Sequence, residues 1–296
     1  MKQACAASSR NPYPLSVHSL GLIPPLAALA LKGLPHPASL QCAQWILLWG
    51  ICLVAPLALR LAGHYPRLQA LLALTSLLML PGYVQGGNWL ILASACWLAV
   101  TLAMAWQIVR QPVDLTLKLA FLYAPVGGIW ALASAWKHGL MAFDPLMTLL
   151  TADHFCYVTL GAMVWASRAS GELGRLSIYR WLTWLLWISP AFVAIGITFS
   201  HWSGQATLVE CLAVTAQVTA TSGISLLWLV RGSPNPALTL SALCSLLTMA
   251  LAFNYAWGRL LPLAHLELGW MIPYHGLVNA LGFVSLGLLA WNYRAT

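Results

Sequence analysis

The chain has 296 residues, of which 60% are hydrophobic and only 7% are charged, whereas a soluble domain carries about a quarter charged residues. One water-soluble core cannot bury so many apolar groups, so the composition excludes a soluble globular protein and indicates a protein that crosses a membrane several times. The formal net charge of +8 does not indicate nucleic-acid binding, because the basic residues lie singly between apolar stretches.

The first apolar stretch, at about residues 14–31, is weak because Pro24 and Pro25 interrupt it. It is either a membrane span or part of a cleaved signal peptide, since the small residues from Ala28 to Ala30 are typical of a cleavage site. The two prolines and the weakly basic start of the chain favour the span. We therefore expect it to be an additional helix.

Nine clear apolar stretches follow, each about as long as the 20 residues that cross a hydrocarbon layer as a helix. They lie at residues 39–62, 66–85, 88–110, 115–137, 145–167, 178–200, 206–230, 236–257 and 271–293. The sequence shows no alternation of apolar and polar residues typical of barrel strands. The predicted fold is all-α: a polytopic transmembrane helical bundle, forming a single integral membrane domain over residues 1–296. The longest predicted links are at 168–177 and 258–270.

Lys and Arg are unevenly divided between the links on the two sides of the predicted bundle. One set of links, together with the C-terminus, holds Arg60, Arg67, Arg110, Lys118, Arg168, Arg175, Arg180, Arg231 and Arg294, and the other set holds Lys137 and Arg259. Because basic residues concentrate on the cytoplasmic side, the first set is predicted to be cytoplasmic. The expected location is the bacterial cytoplasmic (inner) membrane, with both termini cytoplasmic if the weak stretch also crosses.

Polar side chains inside the apolar stretches are costly, and they are therefore the candidates for function. All of them fall in the half of the bundle predicted to face away from the cytoplasm. The predicted catalytic residues are Asp153, His154, Glu210 and His275, and the predicted substrate-binding residues are Tyr157, Asn279 and Asn254. The sequence therefore predicts an outward-facing polar pocket.

Spacing supports shared helix faces within this set. Asp153 and Tyr157 are four residues apart, as are His275 and Asn279, so each pair is predicted to lie on one side of its helix. Gly276 lies four residues before Ala280, a pattern of small residues that lets a neighbouring helix pack closely.

Several sequence motifs resemble the YndJ-like family of bacterial membrane proteins. They are M-I-P-Y-H-G-L-V-N-A-L-G-F at 271–283, T-A-D-H-F-C-Y at 151–157, L-V-A-P-L-A-L at 53–59, and Glu210 following A-I-G-I at 194–197. The similarity extends over about residues 35–296. It implies that His154, Glu210, His275 and Asn279 are the family's polar positions, and it implies no reaction. A second histidine often stands in the family where this chain has Cys156, which weakens the case for a histidine-rich metal site.

Three functions are compatible with these residues. The first is a membrane-embedded enzyme that isomerises or cyclises a small lipophilic substrate by acid–base catalysis, because a carboxyl group in an apolar pocket favours its protonated form and a histidine can accept the proton. The second is a proton-coupled transporter or permease. The third is a metal or haem site formed by His154, His275 and Glu210.

The enzyme is the preferred hypothesis. No nucleotide-binding, diphosphate-binding or nucleophile-elbow motif is present in the sequence, so no cofactor is evident. The expected partners are the lipid bilayer and the lipophilic substrate, with no nucleic acid. The sequence does not indicate the oligomeric state.

Overall fold

The computed structural model describes residues 39–261 and 263–294, and this part of the chain is a bundle of helices without strands. Nine helices are long and apolar enough to cross a membrane: α1 (Leu40–Ala62), α2 (Pro66–Gln85), α3 (Gly87–Val109), α4 (Leu115–Ala135), α5 (Pro145–Leu173), α6 (Ser177–Ser203), α7 (Leu208–Arg231), α8 (Pro236–Leu260) and α9 (Leu268–Arg294). The predicted helical membrane fold and its nine clear spans are confirmed. The weak stretch at 14–31 lies outside the described residues.

Four of these helices begin at a polar side chain that caps the helix N-terminus. Asp114, Asp144, Thr207 and Asn235 each accept a hydrogen bond from the backbone N–H three residues later, at the starts of α4, α5, α7 and α8. Such caps satisfy backbone N–H groups that have no partner within the helix. The caps thus fix where the apolar stretches begin to be helical.

The predicted link at 168–177 is wrong in extent, because α5 continues to Leu173. The residues beyond the apolar stretch are polar but remain helical, since a helix satisfies its own backbone inside or outside the hydrocarbon layer. Glu172 in this last turn forms an ion pair with Arg294 at 2.9 Å and accepts a hydrogen bond from Ser233 at 2.7 Å. The end of α5 is thereby tied to α9 and to the α7–α8 link.

The helices α1, α5 and α9 pack against one another, and each contains a stretch of wider π-helical turns. These stretches are Gly50–Val54, Cys156–Met163 and Ile272–Ser285. In α1 the wide turn directly precedes Pro56, whose nitrogen cannot donate the next helical hydrogen bond. Extra residues of this kind re-aim side chains and are frequent at functional sites.

Small residues and polar side chains hold these three helices close together. A Cβ on Gly276 would lie 2.7 Å from Ile46, which confirms the predicted close packing of α9 on a neighbouring helix. The Trp49 indole donates to Ser285 at 2.8 Å, and the Tyr157 hydroxyl donates to the carbonyl of Ile46 at 2.7 Å. Helix α8 packs on α9, α7 packs on α8 and α6 packs on α7, and a chamber lies between these helices and α5.

Candidate functional site

A cavity of about 870 Å³ lies between α5 and α9 on one side and α6, α7 and α8 on the other. At one end its wall includes residues at the helix termini, Asp144, Gly204, Arg259 and Leu268 among them. We call this end of the bundle the chamber end. At 1.5 Å per residue, Thr221 on α7 lies about 20 Å from the start of its helix, so the cavity passes the middle of the bundle.

Three tryptophans close the bundle beyond the inner end of the chamber. Trp165, Trp228 and Trp291 are at most 8% exposed, and their rings pack edge to face, with centroids 5.1–6.2 Å apart. Phe283, which lines the chamber, packs on Trp165 with centroids 6.1 Å apart. The cluster separates the chamber from the opposite end of the bundle.

Asp153 and His154 line the chamber from the middle of α5. The Asp153 side chain is 6% exposed, and neither of its carboxyl oxygens has a hydrogen-bond partner among the described residues. Nε2 of His154 is likewise buried without a partner. A carboxyl group that is desolvated and lacks a cation is least costly in its neutral form, as a proton donor.

His275 and Asn279 line the chamber from the π-helical part of α9. Nδ1 of His275 lies 2.8 Å from the carbonyl oxygen of Thr248 on α8. Because a carbonyl only accepts, Nδ1 carries the proton, and in the neutral ring Nε2 is left as a proton acceptor. Oδ1 of Asn279 is buried without a partner.

Glu210 lines the chamber from the first turn of α7, and its charge is paired. A nitrogen of the Arg259 guanidinium lies 2.9 Å from its Oε1, and that guanidinium also lies 5.2 Å from the Tyr255 ring centre. Glu210 is 4% exposed although it lies close to the start of its helix, and its Oε2 has no partner among the described residues. One oxygen of Glu210 is engaged by the guanidinium, whereas both oxygens of Asp153 are without partners among the described residues, so Asp153 is the candidate acid.

Two of the predicted substrate-binding residues have other partners. The Tyr157 side chain borders the chamber, but its hydroxyl is used in the hydrogen bond to Ile46. Asn254 is not among the chamber-lining residues; it is exposed and donates to the carbonyl of Ala264 at 3.1 Å, in the α8–α9 link. Its position one turn from the helix end places it beside that link.

The structure thus brings Asp153, His154, Glu210, His275 and Asn279 to one chamber. An unpaired carboxyl and an imidazole with a free Nε2 can donate and accept a proton within the same cavity. Within the part of the chain that the structure describes, no group of three His, Cys, Asp or Glu side chains is close enough to hold a metal ion. The set His154, His275 and Glu210 is therefore not assembled as a ligand cluster.

The chamber wall includes two polar residues that are not in the predicted site set, Arg259 and Gln217. Arg259 had been placed only as a charge in a link, and its partner Glu210 lies 49 positions earlier. Gln217 lines the chamber, accepts a hydrogen bond from Ser189 at 2.8 Å and donates to Thr221 at 2.8 Å. The signal for Arg259 was the rarity of basic residues on its side of the bundle.

The comparisons with known proteins agree with this architecture. A family model described as YndJ-like protein matches residues 45–283. The chain is 30% identical over 185 residues to a Bacillus subtilis (strain 168) protein named "Uncharacterized membrane protein YndJ", an alignment that covers 58% of this chain and 31% of the relative. The chain thus spans about a third of that relative's length. No solved structure matches the chain.

Proposed function

The chain belongs to the YndJ-like family of membrane proteins, and on that premise we propose that it is a membrane-embedded enzyme that isomerises or cyclises a lipophilic substrate by acid–base catalysis. The observation that carries the proposal is the set of five buried polar atoms in one apolar-walled chamber that have no partner within residues 39–261 and 263–294. They are both oxygens of Asp153, Nε2 of His154, Oε2 of Glu210 and Oδ1 of Asn279. Buried polar groups are almost always paired, so such a cluster is typical of a site completed by a ligand.

In the proposed reaction Asp153 is the acid and His275 is the base. The Asp153 O–H donates its proton to a carbon, a carbonyl oxygen or an epoxide oxygen of the substrate, and Nε2 of His275 removes a proton from a neighbouring carbon. The electron pair of the broken C–H bond forms the new double bond, so no oxidant or reductant is consumed. His154 and Asn279 orient the substrate, and the Glu210–Arg259 pair lies at the chamber end.

The closed inner end of the chamber favours this proposal over transport. A transporter needs a path to each side of the membrane in turn. The cluster of Trp165, Trp228 and Trp291 lies across that path, and its rings are buried and packed edge to face. We infer further that the chamber end faces away from the cytoplasm of a bacterial cytoplasmic membrane, because the basic residues concentrate at the other end.

The proposal is tested with a deletion strain complemented by the wild-type chain or by Asp153→Asn, grown in D₂O. We expect a lipid-soluble compound that depends on the wild-type chain and, where Asp153 protonates a carbon, carries one deuterium on carbon more than its precursor, because the proton of Asp153 exchanges with solvent. Asp153→Asn removes the donor and should abolish the compound.

The matched control is Asp114→Asn, which changes an acid outside the chamber. Asn caps helices as well as Asp does, and its Nδ2 can donate to the Ser167 hydroxyl where Oδ2 of Asp114 accepts from it, so this variant should restore the compound. Full complementation by Asp153→Asn would exclude Asp153 as the catalytic acid.

A further inference from the structure

The wall of the chamber includes side chains that face the bilayer. On α6, Ile195, Phe199 and Trp202 border the cavity and are 48%, 52% and 62% exposed. Asp153, Val193 and Phe283 border the same cavity and are at most 6% exposed. The cavity is therefore continuous from the interior of the bundle to its lipid-facing surface.

The opening lies between α4 and α6, and a hydrogen bond ties α6 at each end of it, once to α4 and once to the link that follows α4. Toward the middle of the bundle, the Tyr123 hydroxyl donates to the carbonyl of Trp187 at 3.1 Å. At the chamber end, His201 donates to the carbonyl of Ala142 at 3.0 Å. Trp187 and His201 are 14 residues apart on α6, which corresponds to about 21 Å of helix.

The side chains that border the gap between these two ties are apolar or aromatic. Val126 and Trp130 border it from α4, and Ala194 and Ile195 border it from α6. An apolar surface of this kind accommodates a hydrocarbon chain, whereas it offers nothing to the hydrogen bonds of a water-soluble molecule. The buried polar groups without partners among the described residues, Asp153 and His154 among them, lie deeper in the chamber.

The link between α4 and α5, residues 136–144, forms a short strap across the gap at the chamber end. It includes the 3₁₀ turn Leu140–Ala142, in which Met141 and Ala142 adopt left-handed φ values of 58° and 64°. Such values are unfavourable for residues other than glycine, and they persist where surrounding contacts fix the backbone. Here His201 and Trp202 both donate to the strap carbonyls. The strap directs entry to the side of the bundle below it.

We propose that the gap between α4 and α6 is a lateral portal through which a lipid of the surrounding bilayer enters the chamber. Its hydrocarbon chain lies between Trp130 and Ile195, and its polar group reaches Asp153. The portal rests on the proposed function, for which it names the substrate class: a lipid of the bilayer with a hydrocarbon chain.

Photolabelling in liposomes tests the portal without any turnover. The purified chain is reconstituted with a phospholipid that carries a diazirine on the acyl carbons next to its polar group, and the adducts are mapped by mass spectrometry. We expect adducts on α5 between Met147 and Phe155, because only a lipid inside the chamber reaches these positions. Ala194→Trp and, as an independent variant, Val126→Trp fill the gap and should abolish these adducts.

The matched control is Ile188→Trp, which adds bulk to an exposed position of α6 that does not line the cavity. It should leave the chamber adducts unchanged. Chamber adducts that persist in both portal variants would overturn the proposal, as would a wild-type chamber that is labelled by a water-soluble diazirine and not by the lipid. Labelling is measured in parallel on Asp153→Asn: retained chamber adducts there show that the lipid enters, whatever the fate of the acid–base mechanism.

Discussion

Arg259 at the end of α8 holds the carboxylate of Glu210 at the start of α7, with 2.9 Å between the guanidinium nitrogen and Oε1. The two residues differ in environment, because the Glu210 side chain is 5% exposed and that of Arg259 is 31% exposed. The arginine therefore brings its charge from the surface to a buried acid. The pair joins α7 to α8 at the chamber end.

Removal of Arg259 is expected to destabilise the protein more than removal of both partners. In Arg259→Met the Glu210 carboxylate stays buried without a cation, whereas Glu210→Gln combined with Arg259→Met leaves no buried charge. A double-mutant cycle on thermal unfolding in detergent should give a coupling free energy of about 0.5–3 kcal/mol. A double variant whose loss of stability equals the sum of the losses of the two single variants would show that the pair is not coupled.

Asp153→Leu is expected to raise stability and abolish activity. The Asp153 oxygens lack partners, so an apolar side chain of similar size removes a desolvation cost of about 1–3 kcal/mol. Residues kept for function are often suboptimal for stability in this way. The measurement is the midpoint of thermal unfolding in detergent, alongside the lipid product.

The control for this substitution is Asp114→Leu, which removes an acid that has partners. Asp114 caps α4 through the N–H of Leu117 and accepts a hydrogen bond from Ser167. Loss of the cap alone costs about 0.5–2 kcal/mol, so this variant should unfold at a lower temperature than wild type. A lower midpoint for Asp153→Leu as well would assign Asp153 a structural role.

Two substitutions at His275 separate its hydrogen bond from its basicity. The amide of Asn can take the place of the Nδ1–H group that donates to Thr248, but it has no basic nitrogen. His275→Asn should therefore keep stability near wild type and lose activity, whereas His275→Ala should lose activity and also about 1 kcal/mol of stability. Comparison of unfolding midpoints and of lipid product distinguishes the two. An active His275→Asn would exclude His275 as the base.

The sequence predicts the helices well because the length and hydrophobicity of each stretch follow from that stretch's own contact with lipid. It also predicts that Asp153 and His275 have functional value, since the cost of burial depends on the residue and its depth. It does not show which helices are neighbours, so the contact between Glu210 and Arg259 and the position of Asn254 outside the chamber depend on packing. Hydropathy also does not reveal the wide turn at Cys156–Met163, which depends on how α5 meets α1 and α9.

The close approach of α6 and α7 beside Glu210 gives the last prediction. A Cβ on Gly196 would lie 2.7 Å from the Cα of Glu210, a backbone atom that cannot move without the whole helix. Gly196→Ala should therefore push the helices apart and cost about 1–3 kcal/mol, with a loss of activity because Glu210 and Arg259 move with α7 and α8. Gly171→Ala is the matched control, since a Cβ at that position in α5 meets no atom within 4 Å. Alanine exceeds glycine in helix propensity by about 0.8–1.0 kcal/mol, so the control should unfold at the same or a higher temperature. The Gly196→Ala midpoint should fall, whereas the Gly171→Ala midpoint should stay the same or rise. A Gly196→Ala protein as stable and active as wild type would show that the α6–α7 contact does not position Glu210 at the chamber end.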